Sequence, residues 1–283
     1  MIRLDAATVL LQWATGGLVF LWVTTRRREV GIGYGWLLRG VYGVMAAGAV
    51  AAGRIGDAVP VRDVASVAVA VATGTALAVS VVRRKAGVAG ERERQDRRSA
   101  RVAAMTGIDR ATTVRDVEAA EFPPVLDAIA PAAGLVGLIA GAIAAGGPHP
   151  LAIARIVVGA AFLGAVTDAM LLGHWYLVQP GLARDPLNEL NRWLMVIWPF
   201  EVAVMLWPTG MLSVLSGSID DGYSGLLGWF WVACALTTIV LAVVTTAALK
   251  ERAYSAVMAA TGLLYLAILT AFGTDLVARA VLA

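Results

Sequence analysis

Eight stretches of about 20 mostly apolar residues occupy most of this sequence, and that length is what an α-helix needs to cross a bilayer. The composition agrees, because 59% of the residues are hydrophobic and 15% are charged, whereas a soluble domain carries about 25% charged residues. We therefore predict an all-α polytopic membrane protein with eight transmembrane helices. The predicted spans are 6–25, 34–53, 63–82, 125–146, 151–178, 193–216, 224–249 and 254–278.

Positively charged residues indicate the orientation of these spans. With the N-terminus outside, 17 of the 23 lysine and arginine residues fall in inner loops and four fall in outer segments. Inner loops of membrane proteins carry such an excess, so we expect a multi-pass protein of the cytoplasmic membrane with both termini outside. The first span ends in Arg26, Arg27 and Arg28 without a small-residue cleavage site, which is typical of a retained anchor and not of a signal peptide.

The largest polar segment, 83–124, separates transmembrane helices 1 to 3 in 1–82 from transmembrane helices 4 to 8 in 125–283. Mixed charges at helical spacing in 91–98 and in 109–121 predict short amphipathic helices on the inner leaflet. This basic cytoplasmic loop either touches the lipid bilayer or docks other membrane or cytoplasmic subunits. Because spans one to four and five to eight both begin outside, a division into two four-helix bundles also fits the pattern.

Two features indicate helix packing and not activity. Gly134, Gly137 and Gly141 form a stripe of small residues in the fourth span, which predicts close contact with neighbouring helices. Asp275 and Arg279 lie four residues apart near the end of the last span, a spacing at which the two side chains can pair.

Four ionisable residues lie deeper within the predicted spans, where each costs about 2.5 to 3.5 kcal/mol on insertion scales. They are Arg39, Asp168, His174 and Glu201. At about 1.5 Å per residue, Asp168 lies about 15 Å and Glu201 about 12 Å from the inner ends of the fifth and sixth spans. A short loop joins these spans, so we expect the two carboxyl groups to face each other at matching depth and to relay protons.

Aromatic and polar side chains gather at the inner end of the fifth span. His174, Trp175 and Tyr176, together with Arg39, are groups that bind a quinone headgroup or the polar end of a lipid, and they also anchor helix ends at an interface. Trp175 shares a helix face with Asp168, whereas His174 is turned about 240° away from it. We take the four aromatic and basic residues as candidates for a binding site near the cytoplasmic face, with anchoring as the alternative.

Haem is a disfavoured cofactor for this chain. The only histidines, His149 and His174, fall on opposite sides of the membrane in the expected topology, so one haem cannot take both as ligands. A methionine would have to replace one of them, and nothing in the sequence selects among Met170, Met195 and Met205. A metal site is not predicted either, because one histidine and scattered carboxylates lack the spacing of a ligand set.

Motifs of several other classes of protein are missing from the sequence. There is no Gly-x-Ser-x-Gly elbow, no phosphate-binding glycine loop and no His-Glu-x-x-His motif. The single cysteine, Cys234, lies in an apolar run, where it indicates packing and not reactivity. The basic charge lies on one side without the interleaved aromatic residues that stack on bases, so we do not expect nucleic acid as a partner.

Three functions fit these observations. The first is a membrane subunit of a respiratory or electron-transfer assembly, in which the aromatic and basic candidates hold a quinone while Asp168 and Glu201 relay protons. The second is a proton- or cation-coupled secondary transporter that uses the same two carboxyl groups beside a helix kinked at Pro199. The third is a non-catalytic scaffold or assembly factor that uses 83–124 as its contact surface. Catalysis is expected only as part of a multi-subunit oxidoreductase.

Overall fold

Helices account for all the regular structure that can be described. The computed structural model describes residues 5–106, 120–179, 181–208 and 210–283, and no strand occurs in these ranges. The helices are α1 (Ala6–Thr25), α2 (Ile32–Ile55), α3 (Pro60–Val82), α4 (Ala89–Thr106), α5 (Leu126–Ala144), α6 (His149–Val178), α7 (Asp185–Leu206), α8 (Met211–Leu215), α9 (Leu226–Lys250) and α10 (Tyr254–Leu282). The all-α prediction is confirmed. The helix expected in 91–98 is part of α4, whereas the one expected in 109–121 falls mostly outside the described residues.

Seven helices among the described residues are long and apolar enough to cross a membrane. They are α1, α2, α3, α5, α6, α9 and α10. Large apolar side chains such as Val64, Val71 and Val240 are exposed on the outer faces of these helices, where contact with water would be unfavourable. The seven helices therefore suggest a membrane-embedded protein.

The sixth predicted span, 193–216, has the wrong bounds. Helix α7 begins eight residues earlier, at Asp185, and ends at Leu206. Its first turn combines an acidic side chain with Pro186, a pairing that favours a helix N-terminus. Its end follows from Pro208, because a proline disfavours helical geometry in the preceding residue, and Trp207 is accordingly extended. The first two turns of α7 are polar, so hydropathy alone predicts a loop there.

The long helices pack in two groups of four. In the first group α1 packs on α2, α2 on α3, α3 on α5, and α5 on α1. In the second group α6, α7, α9 and α10 pack on one another in the same order. The two groups meet mainly through α1 and α6, which are the most deeply buried of the long apolar helices. This grouping matches the division into spans one to four and five to eight considered from the sequence.

Glycine permits the close contact between α1 and α6. A Cβ atom at Gly16 would lie 1.7 Å from the carbonyl oxygen of Ala160, and one at Gly164 would lie 2.2 Å from the carbonyl carbon of Gly16. Only hydrogen fits in these positions, so the two backbones cross directly against each other. The predicted small-residue stripe on α5 is also in close contact, since a Cβ atom at Gly134 would lie 2.2 Å from Thr15 Oγ1 on α1.

Ion pairs identify the two ends of the bundle. At one end Arg26 follows α1 and contacts Glu189 in the first turns of α7 at 2.8 Å. At the other end Arg62 near the start of α3 contacts Asp5, the residue before α1, at 2.8 Å. We call the end that carries Arg26 the basic end, because the connections α1–α2, α6–α7 and α9–α10 and the start of the α3–α5 connection lie there and each carries at least one arginine. The opposite end carries the connections α2–α3, α5–α6 and α7–α9.

Candidate functional site

Asp168 occupies a buried position between the two groups of helices. The side chain has no exposed surface, and the Tyr42 hydroxyl on α2 donates a hydrogen bond to its Oδ1 atom. Tyr34, two turns earlier on α2, donates from its hydroxyl to the Asp168 carbonyl oxygen at 3.3 Å. The second carboxylate oxygen, Oδ2, has no hydrogen-bond partner among the residues that the structure describes. We call Asp168, Tyr34 and Tyr42 the Asp168 centre.

Gly17 on the neighbouring helix α1 leaves space for this centre. A Cβ atom at Gly17 of α1 would lie 2.0 Å from the Tyr42 ring, so the tyrosine can reach Asp168 only because residue 17 is glycine. Tyr34 and Tyr42 are eight residues apart, which places both on the side of α2 that faces α6. The predicted alignment of Asp168 with Trp175 agrees, because the Trp175 ring lies 6.0 Å from the Tyr34 ring.

A second set of buried polar residues joins four helices nearer the opposite end. We call it the four-helix cluster. It consists of Gln12 on α1, Arg155 on α6, Glu201 on α7, and Asp275 and Arg279 on α10. The cluster holds two carboxyl groups and two guanidinium groups, so its formal charges balance.

Hydrogen bonds within the four-helix cluster centre on Asp275. Its Oδ2 atom accepts a bond from Arg279 Nε at 2.7 Å, which confirms the pairing expected from the four-residue spacing. Its Oδ1 atom accepts a weaker bond from Gln12 Nε2 at 3.4 Å. Room for these groups comes from α6, since a Cβ atom at Gly159 would lie 2.5 Å from Asp275 Oδ1. Arg155 donates from Nε to the Val204 carbonyl oxygen on α7 at 2.8 Å.

Glu201 is the least satisfied member of the cluster. It has no exposed surface, and within the described part of the chain neither of its carboxylate oxygens has a hydrogen-bond donor. Its closest charged neighbours are Asp275, Arg279 and Arg155, with Asp275 in side-chain contact. A carboxylate only accepts hydrogen bonds, so a bond between Glu201 and Asp275 requires a proton on one of the two groups. A buried carboxyl group in this arrangement is suited to gaining and losing a proton.

Asp168 and Glu201 do not lie at matching depth, so that expectation is wrong. Asp168 is about 15 Å from the basic end of α6, whereas Glu201 is 16 residues or about 24 Å from the start of α7. Along α6, Gly159 at the four-helix cluster is nine residues from Asp168, which is about 13.5 Å. The error follows from the late start assigned to the sixth span. The chain thus has two separate acidic centres.

The predicted quinone ligands point to different neighbours. His174 is exposed and lies 3.3 Å from the Tyr265 hydroxyl on α10. Trp175 donates from its indole nitrogen to Gln179 at 3.0 Å on the side of α2. Tyr176 is buried and donates to the Ala183 carbonyl oxygen in the α6–α7 connection. The three consecutive residues therefore do not surround one ligand.

Arg39 is held in a buried ion pair. Its Nε and Nη2 atoms each donate to one oxygen of Asp127 on α5 at 2.7 Å, and its third nitrogen lies 3.3 Å from Ser80. The Phe122 ring covers the guanidinium at 4.2 Å. This bidentate pair satisfies both charges, so Arg39 connects α2 to α5 and has little capacity left for a ligand.

Several residues of these centres were missed or underrated from the sequence. Asp127 and Asp275 were placed at span ends within reach of water, but both are almost fully buried. Tyr42 gave no signal because tyrosine is common in membrane helices. The four-residue spacing of Asp275 and Arg279 did indicate an ion pair. Because α10 continues to Leu282, this pair lies within the helix and not at its end.

Two cavities open at the basic end. One, of about 240 Å³, is lined by residues that include Gly31, Arg84, Trp175 and Gln179. The other, of about 450 Å³, is formed largely by the first three turns of α7. Among the described residues, no group of three or more His, Cys, Asp or Glu side chains is placed to hold a metal ion.

Comparisons with known proteins contribute no assignment. No protein-family model, no curated protein and no solved structure matches the chain. The functional argument therefore depends on the residues and their geometry alone.

Proposed function

We propose that the chain is an eight-pass integral membrane protein that couples transport to protons carried on buried carboxyl groups, with Glu201 as the main proton carrier. The observation that supports this proposal most directly is the Glu201 carboxyl group, which is fully buried beside Asp275 and for which the described residues provide no donor to either oxygen. Ionisable groups within membrane helices are expensive and are retained where they perform a function.

Helix α7 is the eighth crossing in this proposal. Its 22 residues span about 33 Å, compared with about 30 Å for the hydrocarbon core. It runs between the same two ends as its neighbours α6 and α9, and its outward face carries the exposed side chains of Trp193, Val196 and Phe200. With the basic end in the cytoplasm, as the positive-inside rule requires, both termini lie outside the cytoplasmic membrane.

The chemistry proposed for the four-helix cluster is the exchange of one proton between Glu201 and Asp275. A proton on either group supplies the donor that the pair otherwise lacks. Arg279 donates to Asp275, whereas Glu201 has no donor to either oxygen among the described residues, so we assign proton uptake to Glu201. Arg155 lies close enough to interact with the Glu201 charge once the proton leaves.

The Asp168 centre is the second proton site in this proposal. It lies about 13.5 Å from the level of the four-helix cluster along α6, and the direct Gly16–Gly164 backbone contact lies between the two levels. The backbones of α1 and α6 are in direct contact between the two centres, and we propose that protons do not pass directly from one centre to the other along this interface. That separation favours a coupled transporter over an open proton channel.

The test is proton movement in liposomes that contain the full-length protein and a pH-sensitive dye. An imposed proton gradient with a panel of candidate solutes is expected to give solute-dependent acidification of the lumen. Glu201→Gln and Asp168→Asn keep the shape of each side chain but cannot carry a proton, so each should reduce the flux by about 100-fold. The matched control is Glu189→Gln, which removes a carboxylate from the exposed end of the same helix.

Equal flux for Glu201→Gln and Glu189→Gln would contradict the proposal and favour a scaffold that uses segment 83–124. A second measurement does not depend on knowing the solute. Infrared difference spectra between acid and alkaline buffer should contain a protonated-carboxyl band that disappears in Glu201→Gln and persists in Glu189→Gln.

A quinone-binding subunit of an electron-transfer assembly is the second candidate. The observation that favours it is the cavity of about 240 Å³ at the basic end, where the Trp175 ring and the Gln179 amide offer a stacking surface and polar groups. Haem is disfavoured as its cofactor, because His149 and His174 are 25 residues or about 37 Å apart on α6. Organic extraction of the purified protein is expected to release a quinone if this function is correct, and Trp175→Ala should lower its yield.

A further inference from the structure

Polar side chains line the cavity of about 450 Å³ at the start of α7. Asp185, Asn188 and Arg192 all line it, and none of these three side chains has a hydrogen-bond or ion-pair partner among the described residues. Arg27 and Glu189 complete the polar wall and bind each other at 2.6 Å. The cavity therefore presents one free carboxylate and one free guanidinium.

The order of groups along α7 is informative. Asp185 lies at the first turn, Arg192 seven residues or about 10 Å closer to the membrane interior, and Val196 about 6 Å beyond it. Trp193 and Val196 line the same cavity and are 41% and 49% exposed. From the basic end inward, the surface thus changes from carboxylate to amide, guanidinium, aromatic ring and aliphatic chain.

We infer that this cavity binds the headgroup of a phosphatidylethanolamine lipid. The Asp185 carboxylate accepts hydrogen bonds from the primary ammonium, Arg192 donates to the phosphate, and the acyl chains lie along Trp193 and Val196. This phospholipid in the inner leaflet presents ammonium, phosphate and hydrocarbon in that order. Each group therefore lies at the level of the side chain on α7 that complements it. The inference rests on the membrane embedding proposed above and not on proton transport.

Charge complementarity selects this lipid over two others. Phosphatidylcholine has the same net charge, but its quaternary ammonium has no N–H group to donate to Asp185. Phosphatidylglycerol can place its phosphate at Arg192 in the same way, but its terminal glycerol is uncharged and offers Asp185 no ammonium group to pair with. Glu189 does not alter this comparison, because Arg26 and Arg27 already hold its two oxygens at 2.8 and 2.6 Å.

The experiment is native mass spectrometry of the delipidated full-length protein, titrated separately with phosphatidylethanolamine, phosphatidylcholine and phosphatidylglycerol of identical acyl chains. Phosphatidylethanolamine is expected to bind about threefold more tightly than phosphatidylcholine, the size of one partly exposed ion pair. Asp185→Asn should remove that preference. Arg192→Gln should weaken both lipids by about threefold, whereas Arg192→Lys, which keeps the charge, should restore most of the binding.

Arg252→Gln is the matched control, since it removes an exposed arginine from the α9–α10 connection outside the cavity. Equal binding of phosphatidylethanolamine and phosphatidylcholine would overturn the inference, as would tighter binding of phosphatidylglycerol. An effect of Arg252→Gln as large as that of Arg192→Gln would also overturn it, because binding would then follow net charge alone. None of these results bears on proton flux, which is measured separately with Glu201→Gln.

Discussion

Glu201 on α7 and Asp275 on α10 bring two fully buried carboxyl groups into contact, although the residues are 74 positions apart in the chain. Arg279 donates to Asp275 at 2.7 Å, and both Arg279 and Arg155 interact with the Glu201 carboxyl group. Each carboxyl group therefore interacts with a guanidinium group and with a second carboxyl group. This arrangement makes the charge balance of the cluster sensitive to a single proton.

The Asp275–Arg279 pair should contribute strongly to stability. Arg279→Gln leaves a buried carboxylate without its cation, and the expected loss is about 3 to 5 kcal/mol in the free energy of unfolding. Asp275→Asn should destabilise the protein for the same reason, but the double variant should lose less than the sum of the two single variants. Denaturant unfolding in detergent micelles, followed by circular dichroism, measures all three differences.

The control for this pair is Arg97→Gln on α4. Arg97 also pairs with a carboxylate four residues away, Glu93, at 2.7 Å, but both side chains are more than two-thirds exposed. An exposed pair at this spacing is worth about 0.5 kcal/mol. Similar losses for Arg97→Gln and Arg279→Gln would show that burial does not determine the strength of the pair.

Removing the Arg39 guanidinium, or replacing it with an ammonium group, should lower the free energy of unfolding. Arg39→Gln leaves Asp127 buried and unpaired, with an expected loss of about 3 to 5 kcal/mol in the free energy of unfolding. Arg39→Lys keeps the charge but cannot donate to both Asp127 oxygens, so it should be intermediate. Arg54→Gln at the exposed end of the same helix should change stability by less than about 0.5 kcal/mol. Full stability of Arg39→Lys would mean that charge alone holds α2 to α5.

Gly164→Ala should weaken the contact between the two groups of helices. The new Cβ atom would lie 2.2 Å from the backbone of Gly16, and the required displacement should cost about 1 to 3 kcal/mol in the free energy of unfolding. Gly262→Ala is the matched control, because a Cβ atom at Gly262 in α10 meets nothing within 4 Å. That control should be neutral or stabilising by about 0.5 to 1 kcal/mol. Equal thermal unfolding midpoints for the two variants would rule out a tight crossing at Gly164.

Asp221 should make the start of α9 sensitive to acid. Backbone N–H groups of Gly225, Tyr223, Leu227 and Gly228 hold the pKa of this carboxyl below its ordinary value. A depressed pKa in the folded state means that the stabilisation is present above the unfolded pKa of about 3.9 and is lost as pH falls through the lower folded value. Asp221→Asn should therefore be less stable than the natural protein near neutral pH, and the difference should shrink in acid. Thermal unfolding from neutral to strongly acidic buffer measures this, and a constant difference would refute the assignment.

The sequence by itself determined the helical class and most of the bounds of the seven long apolar helices found among the described residues. These properties depend on local composition, because a run of about 20 apolar residues must satisfy its backbone hydrogen bonds within a helix. The first span, 6–25, coincides with α1, and the last begins at Tyr254 as predicted. The pairing of Asp275 with Arg279 was also readable, since both residues lie on one helix.

Tertiary structure decided which ionisable groups meet. Arg39 was a candidate ligand in the sequence, but helix packing places it against Asp127, 88 residues away. Asp168 and Glu201 were expected together and lie at different levels, because the start of α7 depends on a helix boundary that hydropathy does not mark. The partners of a buried charge come from other helices, and the rotation and register of those helices follow from close contacts such as Gly16 with Gly164. No local pattern in the sequence encodes that geometry.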